Sequence, residues 1–244
     1  MFWQTMAGRS LYQSQSGIHI DENYFFRWLS FGNNTIQSLI YKKKPEKICL
    51  KYLKAFMIGP QFKVGPTCLM GLGGGALIHS LVPYLNPMLI TSIETNQEII
   101  ELSYQYFMLD KIPRLKIIHQ DANQFIHETT EFYQHILIDL YEADHFPTSC
   151  FNEEFFIKCG EHLKNQGYLA VNLANRQEQP IVYSWLKKIF LANTLVIPIQ
   201  GTANIVILAS HSKNLSLLIE QQRQLKNIKK HLWDSNWGQI VQLK

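Results

Sequence analysis

The chain is 244 residues long and 46% hydrophobic, enough for one α/β domain with a small extra element or at most two domains. Its net charge of +4 is mild and unclustered, which argues against a nucleic-acid partner. The four cysteines lack C-x-x-C spacing and the nine histidines lack H-x-H or H-x-x-x-H spacing, so we expect no metal site. A reducing, cytoplasmic setting is favoured over a Cys150–Cys159 disulfide.

Residues 1–48 are expected to form a small antiparallel β-domain. Short alternating or aromatic-rich segments recur there, with a turn signal at Gly32-Asn33-Asn34. The chain begins without a basic region followed by an apolar core, so we expect no signal peptide. The run Lys42–Lys44 is interpreted as a solvated loop in preference to a phosphate site. A linking segment over 49–65 follows, with a helix expected over Leu50–Ile58.

Residues 66–244 alternate between apolar strands and helices, which is typical of a parallel sheet covered on both faces. The segment Val64–Ile93 lacks charged residues, but its prolines and glycines would break a membrane-spanning helix. The expected strands are Cys68–Met70, Met88–Ile93, Leu115–Ile118, His135–Asp139, Tyr168–Asn172, Thr194–Gln200 and Asn204–Ser210. The expected helices are Ala76–Leu85 (closed by Asn86-Pro87), Asn96–Met108, Ala122–His127, Asn152–Leu163 and Gln179–Leu191.

Five parallel strands that end in an antiparallel pair indicate a Rossmann-like, class I S-adenosylmethionine methyltransferase-type fold. We therefore expect a seven-stranded, mostly parallel sheet behind the small N-terminal β-domain. The tail from Ser212 onward is amphipathic and basic, and it is interpreted as a surface helix. The apolar residues that would pack this helix are Leu217, Leu218, Leu225 and Ile228.

A glycine cluster, Gly71-Leu72-Gly73-Gly74-Gly75, follows the first apolar strand, and Glu94 ends the next one. Glycines let the backbone approach a ligand closely, and a carboxylate can accept from both hydroxyls of a ribose. This layout predicts a nucleoside site on a doubly wound domain. The alternative is a buried turn with no ligand, with Glu94 acting as an N-cap-like acid beside Thr95-Asn96.

Two more acids end strands at the same expected edge. Asp121 could accept from an adenine amino group while the backbone N–H of Ala122 donates to a ring nitrogen; alternatively, Asp121 caps the helix that begins at Ala122. Asp139 begins a loop that also carries Glu142 and Asp144. Such a carboxylate cluster suits a cationic amine, whose proton must be removed before its nitrogen can attack. A solvated acidic loop is the alternative.

These motifs resemble the spermidine synthase family, the polyamine aminopropyltransferases, and are most similar to its shorter spermidine synthase-like branch. The resemblance runs from about Gly17 to Ser210. The chain has neither a G-x-S-x-G elbow nor a Walker lysine, which disfavours acyl and phosphoryl transfer. The segments that carry the resemblance are Met70–Leu77, Ser92–Glu94, Gln120–Ala122 and Ile138–Glu142.

The resemblance implies transfer of a propylamine group from decarboxylated S-adenosylmethionine to an amine such as putrescine, without a metal. Asp139 would help to deprotonate that amine. The donor would lie on Gly71, Gly73, Gly75, Glu94, Asp121 and Ala122, and the substrate side would include Glu142, Tyr141, Gln37 and Tyr52. Family members commonly form dimers, so we expect a homodimer. We also expect a cytoplasmic protein with no membrane or nucleic-acid partner.

The chain departs from the family pattern at two places. Gly74 stands where the family carries an aspartate that binds the ammonium group of the donor. The segment Tyr52-Leu53-Lys54 keeps the tyrosine of a Tyr-Gln/His-Glu motif and replaces its acid by a base. The first departure motivates a methyltransferase that uses intact S-adenosylmethionine. The second motivates a non-catalytic relative that acts in binding or assembly.

Overall fold

A computed structural model of the chain describes residues 5, 7–32, 35–85, 89–142, 145–212 and 215–244. The turn at Asn33-Asn34, the helix stop at Asn86-Pro87, the strand start at Met88 and the acid Asp144 lie outside these residues. Within the described ranges, no helix has the length and apolar character needed to cross a membrane.

The N-terminal part forms a four-stranded antiparallel sheet in the order β1-β2-β3-β4. Alternate residues such as Ile20, Leu29 and Ile40 are fully buried, as expected where one face of a sheet packs on the core. The strands are β1 (Arg9–Gln13), β2 (His19–Glu22), β3 (Phe26–Phe31) and β4 (Thr35–Tyr41).

A single carboxylate connects the strands of this small sheet. Glu22, at the end of β2, accepts from Arg9 at 2.8 Å, from Arg27 at 2.7 Å and from Lys42 at 3.1 Å. Burial raises the pKa of Glu22, but the hydrogen bonds from Arg27, Arg9 and Lys42 outweigh it and hold that pKa at about 2.

The linking segment contains two short helices, α1 (Leu53–Phe56) and α2 (Ile58–Phe62), where the sequence suggested one that stops at Gly59-Pro60. The proline is tolerated because it lies in the first turn of α2, where backbone N–H groups have no intrahelical acceptor and the N–H that proline lacks is not needed. Space beside the glycine is tight, since a Cβ on Gly59 would lie 3.2 Å from Nδ1 of His135.

The large sheet has nine strands in the order β12-β13-β10-β11-β9-β8-β5-β6-β7. Its central strands β9, β8, β5, β6 and β7 are parallel, and β11 joins them antiparallel. The strands are β5 (Thr67–Met70), β6 (Ile90–Glu94), β7 (Leu115–His119), β8 (Tyr133–Ile138), β9 (Leu163–Leu173), β10 (Thr194–Pro198), β11 (Ile205–Ala209), β12 (Ile228–Asp234) and β13 (Gly238–Leu243).

Both faces of this sheet are covered. Leu69 and Leu137 belong to one buried cluster, whereas their chain neighbours Met70 and Ile136 belong to a second cluster on the opposite face. The expected methyltransferase-type arrangement of β5 to β11 is confirmed. The helices are α3 (Ala76–Leu85), α4 (Gln97–Phe107), α5 (Ala122–Glu128), α6 (Glu153–Glu161), α7 (Gln179–Ile189) and α8 (Leu215–Gln224).

The prediction for the C-terminal tail was wrong in its second half. The helix α8 ends at Gln224, and Ile228, expected to pack that helix, begins β12 instead. The hairpin β12–β13 pairs with β10 and extends the expected seven strands to nine. A turn signal was present, since Asp234 accepts from the backbone N–H groups of Asn236 and Trp237 just before Gly238.

Candidate active site

A cavity of about 1030 Å³ lies along the carboxyl edge of the large sheet. It is lined by the glycine loop after β5 and by the loops after β6, β7, β8 and β9. The strand β4, residues 49–52 before α1 and the turn between β10 and β11 complete the lining. Ten of the residues expected at the site line this cavity: Gln37, Tyr52, Gly71, Gly73, Glu94, Asp121, Ala122, Asp139, Tyr141 and Glu142.

The glycine loop lies against the cavity with exposed backbone. Gly71 has φ +94°, and a Cβ there would collide with the backbone oxygen of Asp139, so both conformation and space require glycine. A Cβ on Gly73 would meet nothing closer than Ser38, at 3.8 Å. Gly75 is not among the lining residues; its missing side chain makes room for Leu109.

Glu94 is joined directly to the glycine loop. One carboxylate oxygen accepts from the backbone N–H of Leu72 at 3.0 Å, and the other accepts from the backbone N–H of Asn96 at 3.0 Å. The N-cap of α4 is Asn96 itself, whose side chain accepts from Glu98 and Ile99. The oxygen bonded to Asn96 also accepts from the hydroxyl of Thr95 at 3.5 Å, whereas the oxygen bonded to Leu72 has a second lone pair that can accept from a ligand.

Asp121 uses its two oxygens differently. One caps α5 by accepting from the backbone N–H of Gln124 at 2.9 Å, which confirms the capping interpretation. The other accepts from the hydroxyl of Ser149 at 2.9 Å. Ala122 follows as the first residue of α5, so its backbone N–H belongs to the first helical turn, where donors lack intrahelical partners. The cap and a ligand contact can therefore coexist.

Asp139 lies at the middle of the edge, directly after β8. Its carboxylate accepts from the side-chain amide of Asn172 at 2.9 Å and from the hydroxyl of Tyr52 at 3.0 Å. Asn172 in turn accepts from the side-chain amide of Asn204 at 2.9 Å. Burial raises the pKa of Asp139 above its ordinary value, and the bonds from Asn172 and Tyr52 partly oppose this rise. Burial also raises the pKa of Tyr52, so its hydroxyl stays protonated and donates to Asp139.

The acidic loop after Asp139 folds back on itself. The backbones of Glu142 and His145 exchange hydrogen bonds of 2.9 and 3.0 Å, and their side chains approach to 3.9 Å. The side chain of Glu142 is exposed, and Leu140 and Tyr141 line the cavity between it and Asp139. The loop therefore places a second carboxylate at the mouth of the cavity.

Gly74 is packed against an aromatic ring. A Cβ on Gly74 would lie 2.9 Å from Cε1 of Phe107, which is fully buried at the end of α4. The ring thus fills the space into which a side chain at position 74 would project. The loop cannot present a carboxylate here without displacing Phe107.

Several lining residues were not foreseen from the sequence. Asn172 is the last residue but one of β9, at the same edge of the sheet as the acids. A search for amides as well as acids near strand ends would have found it. Asn204 precedes the antiparallel β11, whose amino end lies at this edge. Ser38 and Lys51 come from elements whose orientation toward the cavity has no local sequence signal.

Metal-binding residues do not cluster in the described part of the chain, where no three His, Cys, Asp or Glu side chains could hold an ion together. All four cysteines, including Cys150 and Cys159, are free thiols. Burial raises the pKa of Cys150, which lines the cavity, to about 12, so this thiol is protonated at neutral pH.

The family model of the spermine/spermidine synthase domain matches residues 63–190. A polyamine aminopropyltransferase from Neisseria meningitidis is 25% identical over 232 residues, which cover 90% of this chain and 88% of that protein. Another from Chromobacterium violaceum is 22% identical over 206 residues, which cover 82% of this chain and 78% of that protein.

Solved structures share the fold at lower sequence identity. A probable spermidine synthase from Corynebacterium glutamicum has a TM-score of 0.70 at 18% identity, covering 89% of this chain and 87% of its own. Human methyltransferase-like protein 13, in complex with SAH, has a TM-score of 0.62 at 21% identity, covering 77% of this chain and 96% of its own. The fold is thus common to both kinds of protein, and the domain match decides between them: this chain belongs to the spermine/spermidine synthase family.

Proposed function

We propose that the protein is an aminopropyltransferase that moves a propylamine group from decarboxylated S-adenosylmethionine to a small amine. The observation that carries this proposal is the partly buried carboxylate of Asp139, which Tyr52 and Asn172 hold in place. It lies between a nucleoside-type half of the cavity, lined by Glu94 and Asp121, and a second polar half, lined by Asn172 and Asn204. Family membership favours this function over methyl transfer and over a purely binding role.

The donor would occupy the half of the cavity over β5, β6 and β7. Glu94, fixed by the backbone of Leu72, would accept from the ribose hydroxyls. Asp121 would accept from the adenine amino group, and the backbone N–H of Ala122 would donate to the ring. The open space beside Gly73, where a Cβ would meet nothing closer than Ser38 at 3.8 Å, supports close approach of the donor to bare main chain.

Asp139 would act as the general base. The amine nitrogen attacks the carbon beside the sulfonium sulfur, so that a C–N bond forms, the C–S bond breaks, and its electron pair leaves with the sulfur as a neutral thioether. The proton lost by the nitrogen goes to Asp139. A carboxylate whose pKa is raised by burial is a stronger base than an exposed aspartate, which suits this step.

The test is product analysis with decarboxylated S-adenosylmethionine and putrescine as the first acceptor. We expect an aminopropylated product, and we expect Asp139→Asn to lower kcat by at least about 100-fold, the range for loss of a general base. Asp110→Asn removes an exposed acid outside the cavity and should leave kcat unchanged. Wild-type protein that forms no product, or a fully active Asp139→Asn variant, would contradict the proposal.

Calorimetry addresses the donor separately. We expect tighter binding of decarboxylated S-adenosylmethionine than of the intact compound, because a donor carboxylate would enter a cavity lined by four acids, Glu94, Asp121, Asp139 and Glu142. The packing of Phe107 on Gly74 is the observation that favours the reverse order. A clear preference for the intact compound would support a methyltransferase instead.

We further propose a cytoplasmic homodimer and a division of the chain into a β-domain (1–48), a linker (49–65) and an adenosyl-binding domain (66–244). Tyr24 and Phe25, on the turn between β2 and β3, are 74% and 48% exposed, which supports contact with a second subunit. The four free thiols are compatible with a reducing compartment. Analytical ultracentrifugation tests the dimer, and a monomer at micromolar concentration would contradict it.

A further inference from the structure

The cavity carries one positive charge among its described lining residues. Four lining residues are acids, and the only lysine or arginine is Lys51, immediately before Tyr52. A cation is unexpected in a site that would bind amines, because like charges repel at short range. Its position therefore bears on which amine the site accepts.

Lys51 lies against the turn between β10 and β11. Its Nζ donates to the backbone oxygen of Gln200 at 3.1 Å, and a Cβ on Gly201 would lie 3.6 Å from it. One N–H of the ammonium is used in this bond, which leaves two for a ligand or water. Lys51 is exposed, and this contact places its positive charge at the solvent side of the wall formed by residues 199–204.

This wall lies on the opposite side of Asp139 from the nucleoside-type half. Along the sheet edge, Glu94 ends β6, two strands to one side of β8, and Asn204 precedes β11, two strands to the other side. Two strand spacings are about 10 Å. The relay from Asn204 through Asn172 to Asp139 connects this wall with the central carboxylate.

An acceptor that offers its nitrogen to Asp139 from this side would extend toward Lys51. A second ammonium at its far end, as in a diamine, would meet a like charge there. A carboxylate at the far end would instead accept a charge-assisted hydrogen bond from Nζ. In this half of the cavity, the end at Asp139 therefore favours a positively charged group, and the end at Lys51 favours a negatively charged one.

Building on the proposed function, we propose that Lys51 determines acceptor specificity and selects an amine whose far end carries a carboxylate, such as an ω-amino acid, over a diamine. The bonds formed and broken are those of the proposed aminopropyl transfer. Lys51 contacts the distal end of the acceptor and takes no part in the proton transfer.

Two acceptors of equal length test this inference: 4-aminobutyrate and putrescine, each with a four-carbon chain. We expect wild-type kcat/KM to favour 4-aminobutyrate by about tenfold or more, the effect of one charge-assisted hydrogen bond. Lys51→Met should remove most of this preference, and Lys51→Arg should keep it. Lys54→Met is the matched control, because Lys54 lies outside the cavity with its Nζ on the backbone oxygen of Lys244 at 3.1 Å.

The result that would overturn the inference is a wild-type preference for putrescine, or an acceptor ratio that Lys51→Met does not change. Calorimetric titration of both acceptors, with methylthioadenosine present, separates this inference from the proposed function. If neither acceptor gives product but 4-aminobutyrate binds in a Lys51-dependent manner, the transfer reaction fails and the assignment of Lys51 stands. If 4-aminobutyrate binds no better than putrescine, the assignment of Lys51 fails.

Discussion

Asp139 shows how burial and two neighbouring side chains together adjust the pKa of one carboxylate. Burial favours its protonated form, while the amide of Asn172 and the hydroxyl of Tyr52 favour the charged form. The net result is a pKa above the ordinary aspartate value, with one hydrogen bond on each oxygen of the charged form. The carboxylate is thereby made more basic without losing its orientation.

Tyr52→Phe should therefore move the acid limb of the kcat–pH profile to higher pH. The variant loses a hydrogen bond that stabilises the carboxylate, so the pKa of Asp139 rises further and less of the base is present in mild acid. We expect a loss of kcat on the acid side of the profile that shrinks as the pH rises, from a shift worth about one hydrogen bond. Steady-state kinetics over a pH series measures this.

Tyr168→Phe is the matched control for that experiment. The hydroxyl of Tyr168 is buried, has no hydrogen-bond partner among the described residues, and does not line the cavity. Its removal should leave the profile in place. A Tyr52→Phe profile that coincides with wild type, or that shifts to lower pH, would show that Asp139 is not the group being titrated.

Gly74→Asp should destabilise the protein and should not improve donor binding. The new side chain would meet the buried ring of Phe107, so either the ring or the carboxylate must move. Overpacking of this kind typically costs about 1–3 kcal/mol. Urea denaturation measures the free energy of unfolding, with Gly32→Asp as the control, because a Cβ on Gly32 would have nothing within 4 Å. Equal stability of the two variants would contradict the packing argument.

At the level of secondary structure, Glu22 connects the strands of the small sheet through one carboxylate. Three cations from three positions converge on it, so replacing the acid leaves like charges close together. Its pKa is lowered to about 2, so its contribution to stability is full above about pH 4.5 and is lost as the pH falls toward 2.

Glu22→Gln should thus lower the free energy of unfolding by about 1–2 kcal/mol at neutral pH. The difference from wild type should decline between pH 4.5 and pH 2, because wild type then loses its carboxylate too. Chemical denaturation at several pH values measures it. Glu161→Gln, which removes an exposed partner of Lys158, should have little effect. A difference that stays constant with pH would refute the role of the charge.

Elements with local signals were predicted well. The helix expected over Asn96–Met108 is α4 (Gln97–Phe107), because its cap and apolar period are both local. Elements that depend on pairing between distant parts of the chain were predicted less well. The strand β9 begins at Leu163, five residues before the expected start at Tyr168. The reason is that Leu163 pairs with Tyr133 of β8, and the register between the two strands shifts after this pair. The hairpin β12–β13 likewise forms on the edge of β10.

The same distinction applies to the candidate site. Glu94, Asp121 and Asp139 follow from one rule, that ligands of open α/β sheets bind at the carboxyl ends of strands. Ser38 and Lys51 come from outside the large sheet, and their place at the cavity depends on how the small sheet and the linker dock. No spacing within the sequence encodes that docking.

At the level of the whole molecule, the small sheet forms one wall of the cavity and is attached to the helices behind it. The hydroxyl of Ser38 accepts from the backbone N–H of Ala76, at the start of α3, at 3.3 Å. The hydroxyls of Tyr12 and Ser16 donate to Glu98 in α4, at 2.8 and 2.9 Å. Arg27 donates to the backbone oxygen of Tyr106. The N-terminal part is therefore fixed relative to the glycine loop.

The order of side chains along the sheet edge has an evolutionary consequence. The proposed donor contacts come from positions 71–122, whereas the far wall is built by positions 172–204 and a single lysine. Because these sets are separate in sequence, mutations in one need not disturb the other. Substitutions in the far wall are therefore free to alter amine choice during divergence while the donor contacts are inherited unchanged.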